Sequence, residues 1–513
     1  VVTGKVDHPD FTVENVHFQS RPGLYVTGNL YLPKKAKGKL PTILYVCGHA
    51  RVKKGNVSFG NKTHYQHHGG WFARNGYVCL TIDTLQLGEI EGIHHGTYNQ
   101  KMWWWNARGY SSAGVEAWNC IRALDYLETG PEVDADRFGV TGRSGGGAYS
   151  WWISALDERI KVAVPVAGIT SLRNHVVDGC VEGHCDCMYH VNTYGWGYDK
   201  IAALVAPRPL LISNTDKDGI FPLDGVVQVY SNVRRIYELH GALNNIGLQI
   251  TEGPHKDTQE LRVHAFHWFN RFLKGQDPSP LIEMAAVKFF EPEQLRVFDK
   301  LPSDEKNTSI QETFARKAPK PKVPKSDKEW AKQRDGLMRT LRQKCFVGWP
   351  EIESGHGLKL KPAFDASADG IRFRAYDFTS QGAIRLRLYL AHRDGLKSGD
   401  LDLVVLNSLD EQGWTEFLAG MRVGFEKQLQ GEALPPADQD AYTSNGKMFK
   451  AFKRGMAWVA PRGIGPTAWN PNERKQTQIR RRFMQLGQTR DGMRVWDVRR
   501  AVQALRATDG MAD

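Results

Sequence analysis

The chain has 513 residues, 41% hydrophobic and 24% charged, with a formal net charge of +12. That length and balance exclude a disordered or fibrous chain and leave room for two to four domains, two being favoured because α/β domains run large. No run of about 18 apolar residues exists, which excludes a transmembrane helix. The basic excess is local, in Arg316 to Lys325 and Arg480-Arg481-Arg482. These read as a solvated linker and a solvated helix face. No nucleic-acid-binding motif accompanies the charge, and an acidic polysaccharide is the anionic partner that would suit it. The chain starts at Val1, with no methionine and no signal-like stretch, so any export signal is expected to have been removed already.

Residues 15–32 alternate apolar and polar around Pro22-Gly23, which predicts an opening antiparallel hairpin. Continuous apolar runs follow, as buried parallel strands would: Thr42 to Cys47, Tyr77 to Ile82, Arg137 to Thr141, Val162 to Val166, Pro209 to Ser213 and Leu248 to Thr251. Helical patterns separate them at about His64 to Asn75, Gly114 to Leu127, Gly145 to Leu156, Leu223 to Leu239 and Thr258 to Leu273. This alternation predicts a doubly wound, mostly parallel α/β sheet over residues 1–275. Residues 276–345 read as a linker with a small packed element at Phe289 to Phe298 and a Lys/Pro-rich stretch at Lys317 to Lys325.

Residues 346–513 read as a weaker copy of the first domain. Gly492-Met-Arg-Val-Trp-Asp-Val-Arg-Arg-Ala501 parallels Gly114-Val-Glu-Ala-Trp-Asn-Cys-Ile-Arg-Ala123. Ala451 to Ala460 parallels Trp71 to Leu80, and Asp402 to Leu406 matches the strand at Thr42 to Val46. Three ordered matches predict a duplicated α/β domain. A counterpart of Ser144 would fall near position 522, so the copy is expected to be cut short, with an apolar sheet edge left exposed.

The chemistry is carried by Gly142-Arg-Ser144-Gly-Gly146, which joins a predicted strand to a predicted helix. That is the G-x-S-x-G turn that lifts a nucleophilic serine above a sheet. A serine hydroxyl needs a base, and the base an orienting carboxylate, in the order serine, acid, histidine. Asp218 follows the strand at Pro209 to Ser213, and His255 follows the strand at Leu248 to Thr251. Asp218 is preferred to Asp216 because it stands four residues before Pro222. Asp216 is expected to shape the turn and Asp224 to cap the next helix. Candidate oxyanion donors are the peptide N–H of Gly145 and that of His49 or Ala50, in the loop Cys47-Gly-His-Ala50. Arg143, Trp104, Trp105, Tyr194 and Trp196 are candidate substrate contacts. Residues 168–200 form a long insertion suited to a lid or wall.

These residues resemble the acetylxylan-esterase-like branch of the α/β-hydrolases, near the cephalosporin-deacetylase and dienelactone-hydrolase types. The resemblance covers roughly residues 10–275. It rests on Cys47-Gly-His-Ala50, Gly142-Arg-Ser-Gly-Gly-Gly147, the Asp218 loop and Gly253-Pro-His255. It implies Ser144 as nucleophile, Asp218 as acid and His255 as base, and deacylation of ester-decorated polysaccharide, often by exported enzymes. Three features depart from the branch: Gly48-His49 replaces its usual His-Gly, the 168–200 insertion is extra, and so is the second domain. A glucuronoyl-esterase elbow is not matched.

Cys47, Cys79 and Cys120 lie in apolar runs and are expected to be buried. Cys180, Cys185 and Cys187 share a loop with His184 and His190. Their spacing matches no usual zinc pattern, so neither metal nor cofactor is expected there, and the sequence leaves open whether two of them form a disulfide. The sequence therefore predicts a serine esterase, secreted or periplasmic, that acts on acylated polysaccharide. A prolyl-oligopeptidase-like peptidase and a carbohydrate-binding protein with a relic triad are the rivals.

Overall fold

The computed structural model describes residues 1–35, 37–188, 191–277, 287–351, 357–508 and 511. The chain divides into two compact units, Val1–Lys322 and Val323–Asp513.

The first unit is built on a nine-stranded sheet: β1 (Val2–Asp7), β2 (Phe11–Arg21), β3 (Leu24–Pro33), β4 (Leu40–Val46), β5 (Val78–Ile82), β6 (Val133–Arg143), β7 (Ile160–Val166), β8 (Leu210–Thr215) and β9 (Ile246–Thr251). Their spatial order is β1-β2-β3-β5-β4-β6-β7-β8-β9. The opening meander and the β3–β5 pair are antiparallel, and every pair from β5–β4 to β8–β9 is parallel. Parallel strands need crossovers, and apolar faces need cover. Five helices supply both: α1 (Gln66–Arg74), α2 (Ser112–Leu127), α3 (Gly145–Leu156), α4 (Leu223–Leu239) and α5 (Gln259–Lys274). One face packs Leu44, Val46, Leu80 and Val140 against α2, α3 and α4; the other packs Ile43, Tyr45 and Val164 against α1 and α5. Full burial of a side chain such as Leu44 contributes about 2 kcal/mol. This is the predicted doubly wound, mostly parallel sheet.

The sequence pattern ends the first domain at 275, whereas the compact unit runs on to Lys322. Phe290, Leu295, Val297, Phe298 and Ile310 are buried in it. Polar groups fix this segment. The Asn15 amide donates to the carbonyls of Gln294 and Arg296, and the Asn29 amide to that of Leu295. The Glu89 carboxylate accepts from the N–H groups of Val297 and Phe298 and from Lys62 Nζ, whose second carboxylate partner is Asp83.

The second unit begins with an exposed helix, α6 (Asp327–Lys344), in the span the sequence suggested was linker. It then forms a five-stranded sheet from β10 (Lys361–Ala368), β11 (Ile371–Gln381), β12 (Ile384–Arg393), β13 (Leu403–Ser408) and β14 (Arg454–Val459). Helices α7 (Glu411–Phe425), α8 (Gln439–Ala451), α9 (Glu473–Gln485) and α10 (Arg490–Arg506) complete it. The order β10-β11-β12-β14-β13 repeats β1-β2-β3-β5-β4.

The repetition reaches single hydrogen bonds. Trp118 Nε1 on α2 donates to the Ser20 carbonyl, and Ser20 Oγ donates to Asn119 Oδ1. Trp496 Nε1 on α10 donates to the Ser380 carbonyl, and Ser380 Oγ donates to Asp497 Oδ1. Strand register corrects two of the sequence matches. Val46 and Ser408 occupy equivalent places opposite Ile82 and Val459, so both strand alignments slip by two or three residues. In the described sheet β13 is an edge, with Leu403 and Val405 exposed at 48% and 45%.

Candidate active site

Strand β6 ends at Arg143 and helix α3 begins at Gly145, leaving Ser144 alone at the turn. Its φ of 60° and ψ of −118° fall outside the regions an L residue prefers, and such strain costs about 1–3 kcal/mol. The surroundings enforce it. A Cβ on Gly142 would sit 2.2 Å from the Val46 carbonyl oxygen, and one on Gly146 only 2.0 Å from it. Both glycines of the G-x-S-x-G turn are therefore steric requirements. Ser144 N–H donates to the Val166 carbonyl, which locks the turn to β7.

Ser144 Oγ lies 3.0 Å from His255 Nε2, and His255 Nδ1 lies 2.6 Å from Asp218 Oδ2. The other Asp218 oxygen accepts from the N–H groups of Ile220 and Phe221 at 2.8 and 3.0 Å. Asp218 is thus buried and oriented from both sides. The three side chains stand on loops after β6, β8 and β9, at the carboxyl ends of parallel strands. Asp216 accepts from Gly253 N–H and ties the Asp218 loop to the His255 loop. Asp224 lies in the first turn of α4, whose N-cap is Pro222, so it does not cap that helix; Asn174 donates to it instead.

Gly145 N–H belongs to the first turn of α3, where backbone donors lack helical partners. Ala50 N–H turns back to the Gly48 carbonyl at 3.0 Å, which favours His49 N–H as the second candidate donor. The His49 ring packs against Gly145, and burial, then His95 and His255, pull its pKa down to about 4. Burial and the neighbouring His95 and His49 take His94 down to about 3.

The predicted substrate contacts separate into two groups. Trp105 is 1% exposed, in a core with Leu24, Leu85 and Tyr110, and cannot offer a ring face to a ligand. It is filled in because Gly96 leaves room for its indole. Trp104, Tyr194 and Trp196 are exposed, the last two with ring centroids 5.4 Å apart. Arg143 borders the nucleophile but turns its side chain into a small cleft with Tyr45, His68 and Asp257.

Sequence reading missed a second polar group beside His255. Asp257 accepts from His68 Nε2 at 2.9 Å and His67 Nε2 at 3.3 Å, and Arg262 Nε stands 3.5 Å away. Burial raises its carboxyl, but His68, His67 and Arg262 outweigh that and hold it well below the usual range. The adjacent pair His67-His68 was the available signal. In the insertion, Cys185 and Cys187 are disulfide-bonded and Cys180 is free and buried; His190 lies outside the described residues.

Residues 23–190 match the family profile described as X-Pro dipeptidyl-peptidase (S15 family). The first unit has the α/β-hydrolase fold. "Putative hydrolase YtaP" of Bacillus subtilis (strain 168) is 26% identical over 247 residues, covering 47% of this chain and 81% of that protein. "Uncharacterized peptidase YuxL" of the same organism is 24% identical over 247 residues, covering 45% of this chain and 34% of that protein. Among solved structures, methylesterase BT1017 is similar at 24% identity and a TM-score of 0.44, over 65% of this chain and 70% of that one. The profile match and the relatives are those of a serine-type hydrolase. No described helix is long and apolar enough to cross a membrane.

Proposed function

We propose that the hydrolase unit is a carboxylesterase that removes acyl groups, acetyl foremost, from ester-decorated polysaccharide. The observation that carries the reading is the continuous hydrogen-bonded line from Ser144 through His255 to Asp218. In this mechanism His255 Nε2 takes the Ser144 proton as Oγ attacks the ester carbonyl. Asp218 holds the Nδ1 proton and stabilises the imidazolium. The N–H groups of Gly145 and His49 stabilise the oxyanion, a contribution of about 3–4 kcal/mol per donor. His255 then protonates the departing sugar oxygen, and water, activated by the same ring, releases the acid from the acyl-enzyme. Exposed Tyr194 and Trp196 would supply apolar faces to a sugar ring. An exported location goes with a polysaccharide substrate.

The S15 match favours a second reading, cleavage of X-Pro peptides. An aminopeptidase of that kind needs a carboxylate for the substrate ammonium. Asp257, two residues after His255, is one such acid, and it is already committed to His67, His68 and Arg262. This supports the esterase. The deciding experiment measures acetate released from a panel of acetylated polysaccharides, beside X-Pro dipeptide amides, with Ser144→Ala as control. Acetate release abolished in the variant is expected. Turnover of the amides alone would replace the esterase with the peptidase, and no Ser144-dependent turnover of either would leave a binding protein.

A further inference from the structure

One cluster of reactive side chains takes no part in that mechanism. His49 on the loop after β4, His94 on the loop after β5, and Cys185 in the insertion bring ligand atoms within 4.8 Å of one another. His49 Nε2 stands 3.5 Å from Cys185 Sγ and 3.3 Å from Cys187 Sγ. Three segments far apart in sequence thus converge on one point.

The arrangement is braced from behind. Asp186, between the two cysteines, accepts from Thr97 N–H at 2.7 Å and from the Thr97 hydroxyl. Thr97 lies three residues after His94, so this contact presents the sulfurs to the histidines. His94 Nε2 is buried without a hydrogen-bond partner. Leaving such an atom empty is costly, because nothing replaces the hydrogen bond it makes in water.

A tetrahedral zinc ion has Zn–S bonds of about 2.3 Å and Zn–N bonds of about 2.0–2.1 Å, which place nitrogen and sulfur ligands about 3.6 Å apart. The His49 separations are close to that value. Two thiolates would also neutralise Zn²⁺, as a buried site demands. We propose that His49, His94, Cys185 and Cys187 form a zinc site that pins the insertion to the loop behind the nucleophile.

In this structure the two sulfurs are joined as a disulfide, so the site belongs to the dithiol state. A dithiol reductant supplies two electrons and two protons. The S–S bond breaks, two thiols form, and the reductant closes its own disulfide. Zinc then displaces both thiol protons as the Zn–S bonds form. His67, His68 and Asp257 make the other cluster of this kind among the described residues, but there the carboxylate already accepts from both imidazoles.

The test uses the full chain, purified without chelator, before and after treatment with a dithiol and incubation with Zn²⁺. Metal is measured by mass spectrometry, and thiols are counted in denaturant with chelator. One zinc per chain with all seven cysteines titrating as thiols is expected, in the reduced sample at least. Cobalt in place of zinc should give the visible absorption of a tetrahedral cobalt–thiolate. His94→Ala, which keeps both sulfurs and lies outside the triad, should weaken zinc binding at least tenfold and alter that spectrum. Cys180→Ser, in the same loop, should change neither. Seven thiols without zinc in the reduced sample would overturn the proposal, leaving a cysteine pair that holds no metal. Zinc that persists undiminished in Cys185→Ser/Cys187→Ser would also overturn it.

Discussion

Among the described residues the two units share one pattern of five strands, and the proposed site stands on strands outside it. Strands β1 to β5 have counterparts in β10 to β14, down to the Trp–Ser clasp that ties α2 and α10 to their sheets. Ser144, Asp218 and His255 follow β6, β8 and β9, for which the described second sheet has no counterpart. The oxyanion loop after β4 does have a positional equivalent, after β13. There Asp410 caps α7 almost at once, which leaves no loop to present a donor. Among the described residues, the three side chains of the proposed site stand on strand ends outside the repeated pattern.

The hardest test of this division is Ser144→Ala. It should lower kcat/KM by about 10⁴-fold or more while leaving both units' unfolding transitions in place. Residual activity traceable to the second unit would break the comparison.

The clasps come next, because they differ in charge. Asp497 is fully buried and accepts from Arg462 N–H, Nε and Nη2, whereas Asn119 makes a neutral contact to Ser20. Asp497→Ala should therefore destabilise the second unit by about 3–5 kcal/mol, since it strands a buried guanidinium. Asn119→Ala should cost the first unit only about 1 kcal/mol. Denaturant unfolding with separate probes for the two units measures both. Equal losses would mean that the clasps are not energetically distinct.

A third difference lies one turn away. Glu116 on α2 is buried, accepts from Leu85 N–H at 2.5 Å, and burial pushes its carboxyl up to about 8; its counterpart on α10 is Arg494. A folded pKa above the unfolded 4.5 means that the folded state keeps a proton the unfolded chain releases. Stability from this group is full below 4.5 and is lost as pH rises through about 8. At about 1.4 kcal/mol per unit, a few kcal/mol are at stake. Thermal unfolding across that range should show a steeper slope in the first unit than in the second, and Glu116→Gln should reduce it.

The smallest expected effect concerns Tyr194 and Trp196. Alanine at either exposed ring should raise KM several-fold with little change in kcat, as loss of uniform binding does. Trp105→Ala should instead destabilise the hydrolase unit, because that ring is core.

Much of this was legible in advance, because local signals agree with the fold. The helix expected at Leu223 to Leu239 forms with those bounds, and the strand–glycine–helix rhythm around Ser144 identified the turn. The ordered spacing to Asp218 and His255 reflects strand ends that a parallel sheet aligns. What escaped depends on contacts distant in sequence. Nothing near Trp105 reveals that Gly96 makes room for its ring, and Asp257 meets His67 and His68 across about 190 residues. The small packed element at Phe289 to Phe298 is visible in the sequence, but not that it belongs to the first unit, because its anchors, Asn15, Asn29 and Glu89, lie elsewhere in the chain. The repeat alignment slipped because strand identity resides in hydrogen-bond register, which apolar runs do not record.

The bare flank of β13 has a practical side. Among the described residues the outer N–H and C=O groups of this strand have no ladder partner, and Leu403 and Val405 face water, which makes it a template for another strand. At high concentration this polypeptide should behave as a sticky molecule for reasons unrelated to its chemistry. Colloidal behaviour and the proposed turnover would then reside in different units, so either could be engineered without disturbing the other.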